Sequence, residues 1–332
     1  MKKIVSAAIV CAFISATSVA SASTLFDPKR DRAVEDALND VESAPAGSVK
    51  AGCVQKKDVM TIKPRKKFLA YEMGYEAYSY RYKETVGGRH FMNLTGRFQG
   101  IFGNLEYRPM EKDDFWGDSS NSYRLETRYG WAHLDYNGGI QHGDGSITPL
   151  TTQDTPDAAL EMRGLVRKDY PMGIFQFTPY LGLGYRWLKD DSRKQGNAGY
   201  LRKSNYTYLP LGMEVAMPLP MHWAVRLNME YDYLLYGVQR SMISDSGTVD
   251  GISYNYNGLK NYQSKGYGLR GSIRLEKAWG MWGVFVEPYF RFWDIEDSDP
   301  ARVDVNGGQL VGFGLEPSNQ TREFGLKAGV LF

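Results

Sequence analysis

Four histidines, His90, His133, His142 and His222, are the chain's candidates for proton transfer, and they are scattered. The nearest approach to a catalytic grouping is His133-Leu134-Asp135, with a second acidic piece at Asp190-Asp191. A general base must lie within hydrogen-bond reach of the proton it takes. Adjacent residues of an extended strand point to opposite faces, which separates Asp190 from Asp191. His142 lies in a Gly-rich stretch, His90 opens a strand-like segment and His222 sits at a tight turn, none with a serine in a lipase-type setting. No catalytic residue is assigned, and the chain is not expected to be an enzyme. Asp294, Asp297, Asp299 and Asp304 crowd one loop, with Asp245 and Asp250 in another. Oxygen-rich loops can take calcium, but these acids have no defined ligand spacing and read better as turn formers. No metal and no cofactor is expected.

A larger set of chemically active groups recurs on one side of alternating segments: Glu72, Glu76, Arg97, Arg124, Glu126, Arg128, Glu161, Arg163, Arg186, Glu214, Arg226, Glu230, Asp232, Arg270, Arg274, Glu276, Glu287, Arg291, Glu323 and Lys327. Acids and bases nearly balance. Buried charges must be paired or hydrated. If these residues share an interior, they make an ion-pair lattice that fills it; a narrow aqueous path through the same lattice is the alternative.

The elements that would position them are long strands with a two-residue period. Ten are expected, near 68–82, 89–107, 121–135, 157–168, 174–188, 205–217, 222–236, 264–277, 281–294 and 320–332, with eight or twelve as alternatives. In the seventh, Trp223, Val225, Leu227, Met229, Tyr231, Tyr233 and Leu235 share one face, opposite His222, Arg226, Asn228, Glu230 and Asp232. The connections after the fourth, sixth and eighth strands are short, whereas those after the third, fifth, seventh and ninth are long and rich in Gly, Asp, Asn and Ser. The first connection at that end, 83–88, is short, and the link 109–121 is long, against the pattern.

The last segment alternates Phe324, Leu326, Ala328, Val330 and Phe332 with Glu323, Gly325, Lys327 and Gly329. That ending resembles the C-terminal strand of Gram-negative outer-membrane β-barrel proteins, where a terminal aromatic is the assembly signal; Phe332 holds that position. The likeness covers residues 68–332 and implies an all-β fold, a closed antiparallel transmembrane β-barrel with short periplasmic turns, long extracellular loops and the C-terminus on the periplasmic side. Composition agrees: 42% of residues are hydrophobic, the mean hydropathy is −0.43, and 23 Tyr and 36 Gly suit strands with aromatic belts. A net charge of +2 gives no argument for nucleic acid. The omptin proteases are barrels of similar size, but their pattern, an Asp-x-Asp-type pair opposite an Asp-x-His pair, is not matched by the reversed His133-Leu134-Asp135 or by Asp190-Asp191.

At the other end, residues 1–22 carry Lys2, Lys3, an apolar stretch and Ala20-Ser21-Ala22, the pattern of a cleaved export signal. Cys11 would leave with it, so Cys53 could form no intramolecular disulfide. Residues 23–67 have no alternation and read as a periplasmic segment, partly disordered or folded into the barrel as a plug. Tyr78, Tyr80, Tyr129, Trp131, Tyr185, Trp187, Tyr206, Tyr208, Tyr231 and Tyr233 are expected in an outer aromatic girdle, and Phe175, Phe177, Trp223, Trp282 and Phe332 in an inner one. Arg193, Lys194, Arg202 and Lys203 could hold lipopolysaccharide phosphates or be solvated loop charges. The expected partners are outer-membrane lipid, lipopolysaccharide and the barrel-assembly machinery, for a monomer. The expected role is a non-enzymatic outer-membrane protein acting through its extracellular loops. A narrow porin-like channel is the first alternative and an omptin-like rim hydrolase the second.

Overall fold

Ten long antiparallel strands close on themselves in the computed structural model, which describes residues 68–109, 120–141, 146–193, 199–243, 248–249, 252–253, 256–306 and 308–332. The strands are β1 (Phe68–Val86), β2 (Arg89–Arg108), β3 (Ser120–Gln141), β4 (Ile147–Met172), β5 (Phe175–Asp191), β6 (Leu201–Leu219) and β7 (Trp223–Ser241). Three short pieces follow, β8 (Thr248–Val249), β9 (Ile252–Ser253) and β10 (Leu259–Gln263), then β11 (Gly266–Trp279), β12 (Trp282–Ile295), the hairpin β13 (Ala301–Val305) and β14 (Gln309–Gly314), and β15 (Ser318–Leu331). The wall runs β1 to β7, then β11, β12 and β15, and β15 pairs with β1 from Glu72↔Leu331 to Thr85↔Ser318. Closure leaves no edge strand, which is the requirement for a sheet in a solvent that cannot hydrogen-bond.

The alternation decides which face meets which solvent. Leu69, Tyr71, Met73 and Tyr75 of β1, Leu181 and Leu183 of β5, Leu227, Met229 and Tyr231 of β7, and Phe324 and Leu326 of β15 all stand exposed on the outer face. An apolar belt around the whole molecule is abnormal for a surface in water and normal for one in lipid. Toward the loop end the outer face turns polar, with Arg81 and Lys83 on β1, Lys189 on β5 and Arg322 on β15. The strands continue beyond the belt, which is why β3 and β4 extend to Gln141 and back from Ile147, well past the expected ends. At the other end, two-residue turns join β4 to β5 and β11 to β12. Gly173 and Gly280 adopt φ of 65° and 64°, a backbone glycine takes without steric cost.

At the loop end the two longest connections are tied to each other. Asn257 N donates to Asp304 O (3.0 Å), Asp304 N to Asn257 Oδ1 (2.7 Å), and Asn261 Nδ2 to the carbonyls of Asp299 and Gly314 (both 3.0 Å). Asp297 accepts from Ser318 N and Asp294 from Gln320 Nε2, so these loop acids serve turns and strand ends. The export signal, Cys53, the 23–67 segment, His142, Lys194, Asp245, Asp250 and most of the link after β2 lie outside the described residues.

Candidate functional site: the lumen and its mouth

Inward-facing side chains fill the bore in layers. Nearest the short turns, Glu72 of β1 receives Arg124 of β3 (2.8 Å) and Arg274 of β11 (3.0 Å). Arg274 also donates to Glu287 of β12 (2.8 Å), and Arg226 of β7 bridges Glu214 of β6 and Glu276 of β11 (2.9 Å each). Arg167 of β4 joins Glu214 (3.0 Å) to Glu106 of β2 (2.9 Å), and Arg108 contacts Asp169. Lys327 faces the same space, 5.4 Å from the Phe102 ring centroid.

The next layer crosses the bore. Arg128 of β3 reaches Glu161 of β4 (2.9 Å), Glu76 of β1 (3.2 Å) and Glu323 of β15 (3.0 Å). Arg270 of β11 holds Glu161 (2.5 Å) and Asp232 (2.6 Å), Arg163 contacts Glu126 and Glu230, and Arg291 and Arg186 converge on Glu323 at 3.0 and 3.3 Å. Tyr208 donates to Glu161 (2.6 Å) and Tyr289 to Glu76 (3.0 Å). Five carboxylates, Glu76, Glu161, Glu230, Asp232 and Glu323, thus meet five guanidiniums, Arg128, Arg163, Arg186, Arg270 and Arg291. Pairing of this kind is what makes charge tolerable away from water. Between the two layers lies a polar cavity of about 90 Å³, bounded by Arg124, Glu126, Arg163, Glu230 and Arg274, large enough for several waters.

Above the charges the bore turns aromatic. Tyr78 stacks on Phe98 (5.0 Å between centroids) and Tyr208 meets Trp293 edge-on (5.0 Å), among Met92, Leu94, Leu134, Leu234 and Ile295. The rings lie over the cations beneath: Arg128 is 5.3 Å from the Tyr78 centroid, Arg270 5.3 Å from Tyr208 and Arg186 5.5 Å from Trp293, within the range of a cation–π contact. Gly184 lets this happen, because a Cβ there would stand 2.2 Å from the Tyr208 ring.

A third polar group lies at the mouth, above the apolar belt. Arg202 of β6 contacts Glu84 (2.5 Å), Asp190 (2.9 Å) and, more distantly, Glu316 (3.9 Å). Tyr82 donates to Glu84 (3.0 Å) and Glu316 (3.3 Å). Burial and the neighbouring Glu84 push the Glu316 carboxyl up to about 8. Asp157 and Asp190 are register partners on β4 and β5 beside a cavity of about 30 Å³. Burial, reinforced by Asp190, raises the Asp157 carboxyl well above its usual range, and burial raises Asp190 against the pull of Arg202.

Nineteen of the twenty charged residues singled out by alternation face this interior; Arg97 does not. It stands exposed on the outer face of β2, because Met92, Leu94, Phe98 and Phe102 take the inner one. Tyr78, Tyr80, Tyr206 and Tyr208 are likewise buried inside rather than in the girdle, whereas Tyr129, Trp131, Tyr185, Tyr231 and Tyr233 are on the outer surface. Glu84 at the mouth and Arg167 in the layer nearest the turns lie outside that set, although Glu84 has the parity of Glu72 and Glu76 and Arg167 that of Glu161. His133 Nδ1 lies 2.6 Å from Asp154 on the exposed outer face. Asp135 is exposed there too, while Asp190 points inward, so the wall separates these groups.

Among solved structures, the outer membrane protease OmpT from Escherichia coli aligns with 83% of this chain and 99% of its own, at 8% identity and a TM-score of 0.57. This chain has the outer-membrane β-barrel fold. The translocator domain of the autotransporter NalP from Neisseria meningitidis (11% identity, 94% of this chain, 99% of its own, TM-score 0.34) aligns more loosely. So does the outer membrane protein OprG from Pseudomonas aeruginosa (10%, 80%, 94%, TM-score 0.30). No protein-family model matches this barrel, and no curated protein matches its sequence.

Proposed function

We propose that this barrel lies in the outer membrane, short turns and C-terminus toward the periplasm, and serves as a non-enzymatic surface protein with a closed lumen. The observation that carries the reading is the crossing of the bore by Arg128, which joins β1, β3, β4 and β15 through Glu76, Glu161 and Glu323 beneath an aromatic layer. An interior in which Arg128, Arg163, Arg270 and Arg291 are each held by two or three carboxylates is built to stay shut. The mutual ties of the long loops support a display role: they hold the β13–β14 hairpin as a fixed platform on which Leu310, Val311 and Phe313 are exposed, Phe313 by 69%. Against hydrolysis stands the wall between His133 and the inward acids. In this reading the partners are lipid, lipopolysaccharide and the assembly machinery that reads Phe332, and the protein is a monomer.

Single-channel recording tests it. The refolded protein, first checked for different gel mobility before and after boiling, is expected to be silent in a planar bilayer. Steady openings that change when Arg128 or Glu230 is replaced would sink the closed-lumen reading and make the protein a porin-like channel through the 90 Å³ cavity.

A further inference from the structure

We propose that the outer face of β5, β6, β7 and β10 binds a phosphorylated lipid at the upper border of the apolar belt. Four neighbouring strands bring basic residues to one height: Lys189 pairs with Lys203, Lys203 with Arg240, and Arg240 with Lys260. Like charges directly opposite one another destabilise a sheet, so an unbroken row of four calls for an anion. The protein supplies little. Asp191 lies 3.1 Å from Lys189 but is also held by Arg193, and among the described residues no carboxylate forms an ion pair with Lys203, Arg240 or Lys260.

The row beneath is Trp187, Asn205, Val238 and Tyr262, again in register, and beneath that lie Tyr185 and Tyr236. Together Trp187, Lys203, Asn205, Tyr236, Arg240 and Lys260 border an outer cleft of about 470 Å³. Its upper wall offers ammonium and guanidinium donors suited to phosphate oxygens. Its lower wall is aromatic at the level where rings sit against headgroups. A free phosphate would use only the upper half; a phosphorylated glycolipid with acyl chains uses both.

The probe is bis-phosphorylated lipid A, added to the folded full chain in neutral detergent micelles, with its dephosphorylated form and inorganic phosphate as comparators. The readout is the temperature midpoint of the gel-mobility transition across a titration. The phosphorylated lipid is expected to raise the midpoint, and the K203Q/R240Q/K260Q variant to weaken its apparent affinity on the order of 100-fold, from the interfacial contribution of three basic residues. These side chains stand on the outer face, so the variant keeps the mobility of a folded barrel, and K203R/R240K/K260R retains binding. Equal binding of the dephosphorylated lipid, or no loss in the triple variant, overturns the proposal; so does inorganic phosphate reproducing the whole effect, which would make this a free-anion site. The inference rests on the membrane placement proposed above, but binding in micelles depends on neither conductance nor orientation. A failure here leaves the closed-lumen reading standing, and an open channel leaves the lipid site standing.

Discussion

Replacing Arg128 with Met is the sharpest test of what the interior charges do. The middle layer holds five carboxylates and five guanidiniums, and Arg128 contacts three acids on three other strands, Glu76, Glu161 and Glu323. Its loss leaves no acid without a partner. Glu161 keeps Arg270, Glu323 keeps Arg186 and Arg291, and Glu76 keeps Tyr289 with Arg291 at 3.5 Å. It does leave the layer one charge short. Removing one partner of a buried ion pair costs about 3–5 kcal/mol, and the remaining partners place Arg128→Met at the lower end, about 3 kcal/mol. The Met side chain fills much of the vacated volume, so the defect is electrical rather than a cavity. It should therefore shrink as pH falls and a carboxylate takes up a proton. Adding Glu323→Gln restores neutrality and should recover about 1–2 kcal/mol, the coupling expected between contacting residues. Equilibrium unfolding in urea from lipid vesicles, followed by tryptophan fluorescence, measures both. A single variant within 0.5 kcal/mol of the parent, or a double variant with no recovery, would refute the view that the layer depends on balanced pairs.

Two further substitutions test the assignment of faces and the mouth. Arg97→Gln on the outer face should change stability by less than about 0.5 kcal/mol, as surface changes do, whereas Arg124→Gln, which strips Glu72 of one partner, should cost about 3 kcal/mol in the same assay; equal effects would contradict the placement of Arg97. At the mouth, folding raises Glu316 from the ordinary value of 4.5 to about 8. A carboxyl raised by folding contributes fully below its unfolded value, and that contribution is lost as pH rises through the folded one. Stability should thus fall by a few kcal/mol between about pH 4.5 and 8, with Glu84, Tyr82 and Arg202 as the facing groups. Glu316→Gln should flatten that slope and be the more stable form at pH 9; an unchanged slope would show that Glu316 does not hold the proton.

The strand periods were legible because lipid on one side and charge on the other leave little ambiguity: β7 and β15 show their expected faces, except that His222 stands exposed in the turn before β7. The departures on the strands share one cause. Tyr78 and Tyr80 have the parity of Glu76, which already placed them inside, but aromatic residues near a strand's outer end suggested a girdle. Arg97 has the character of an inward residue in the lipid zone, where polar side chains face the bore, yet β2 at that height has passed its border. Glu316 lies in a loop, and nothing in its neighbours along the chain reveals that it meets Glu84 across 232 positions of sequence; only closure of β15 on β1 brings them together.

These errors locate a change of solvent along the wall. Below it the pattern is apolar-out and polar-in, as lipid demands; above it Met92, Leu94 and Phe98 turn inward while Asn93, Thr95 and Arg97 turn outward, as water demands. The switch falls between Ile101 and Gln99 on β2, Trp187 and Lys189 on β5, and Phe324 and Arg322 on β15. The barrel is therefore two proteins in one sheet, a membrane wall and a soluble collar, and each needs a different filling. The wall encloses paired charge because its outside has already taken the apolar residues. The collar encloses Tyr78, Phe98 and Trp293 because its outside must be wet. The aromatic layer follows from that switch, since a collar standing in water must bury an apolar core and the lumen is the interior it has. For the same reason, lengthening the strands beyond the membrane places rings in the bore, whereas a barrel trimmed to its belt would keep only the charges.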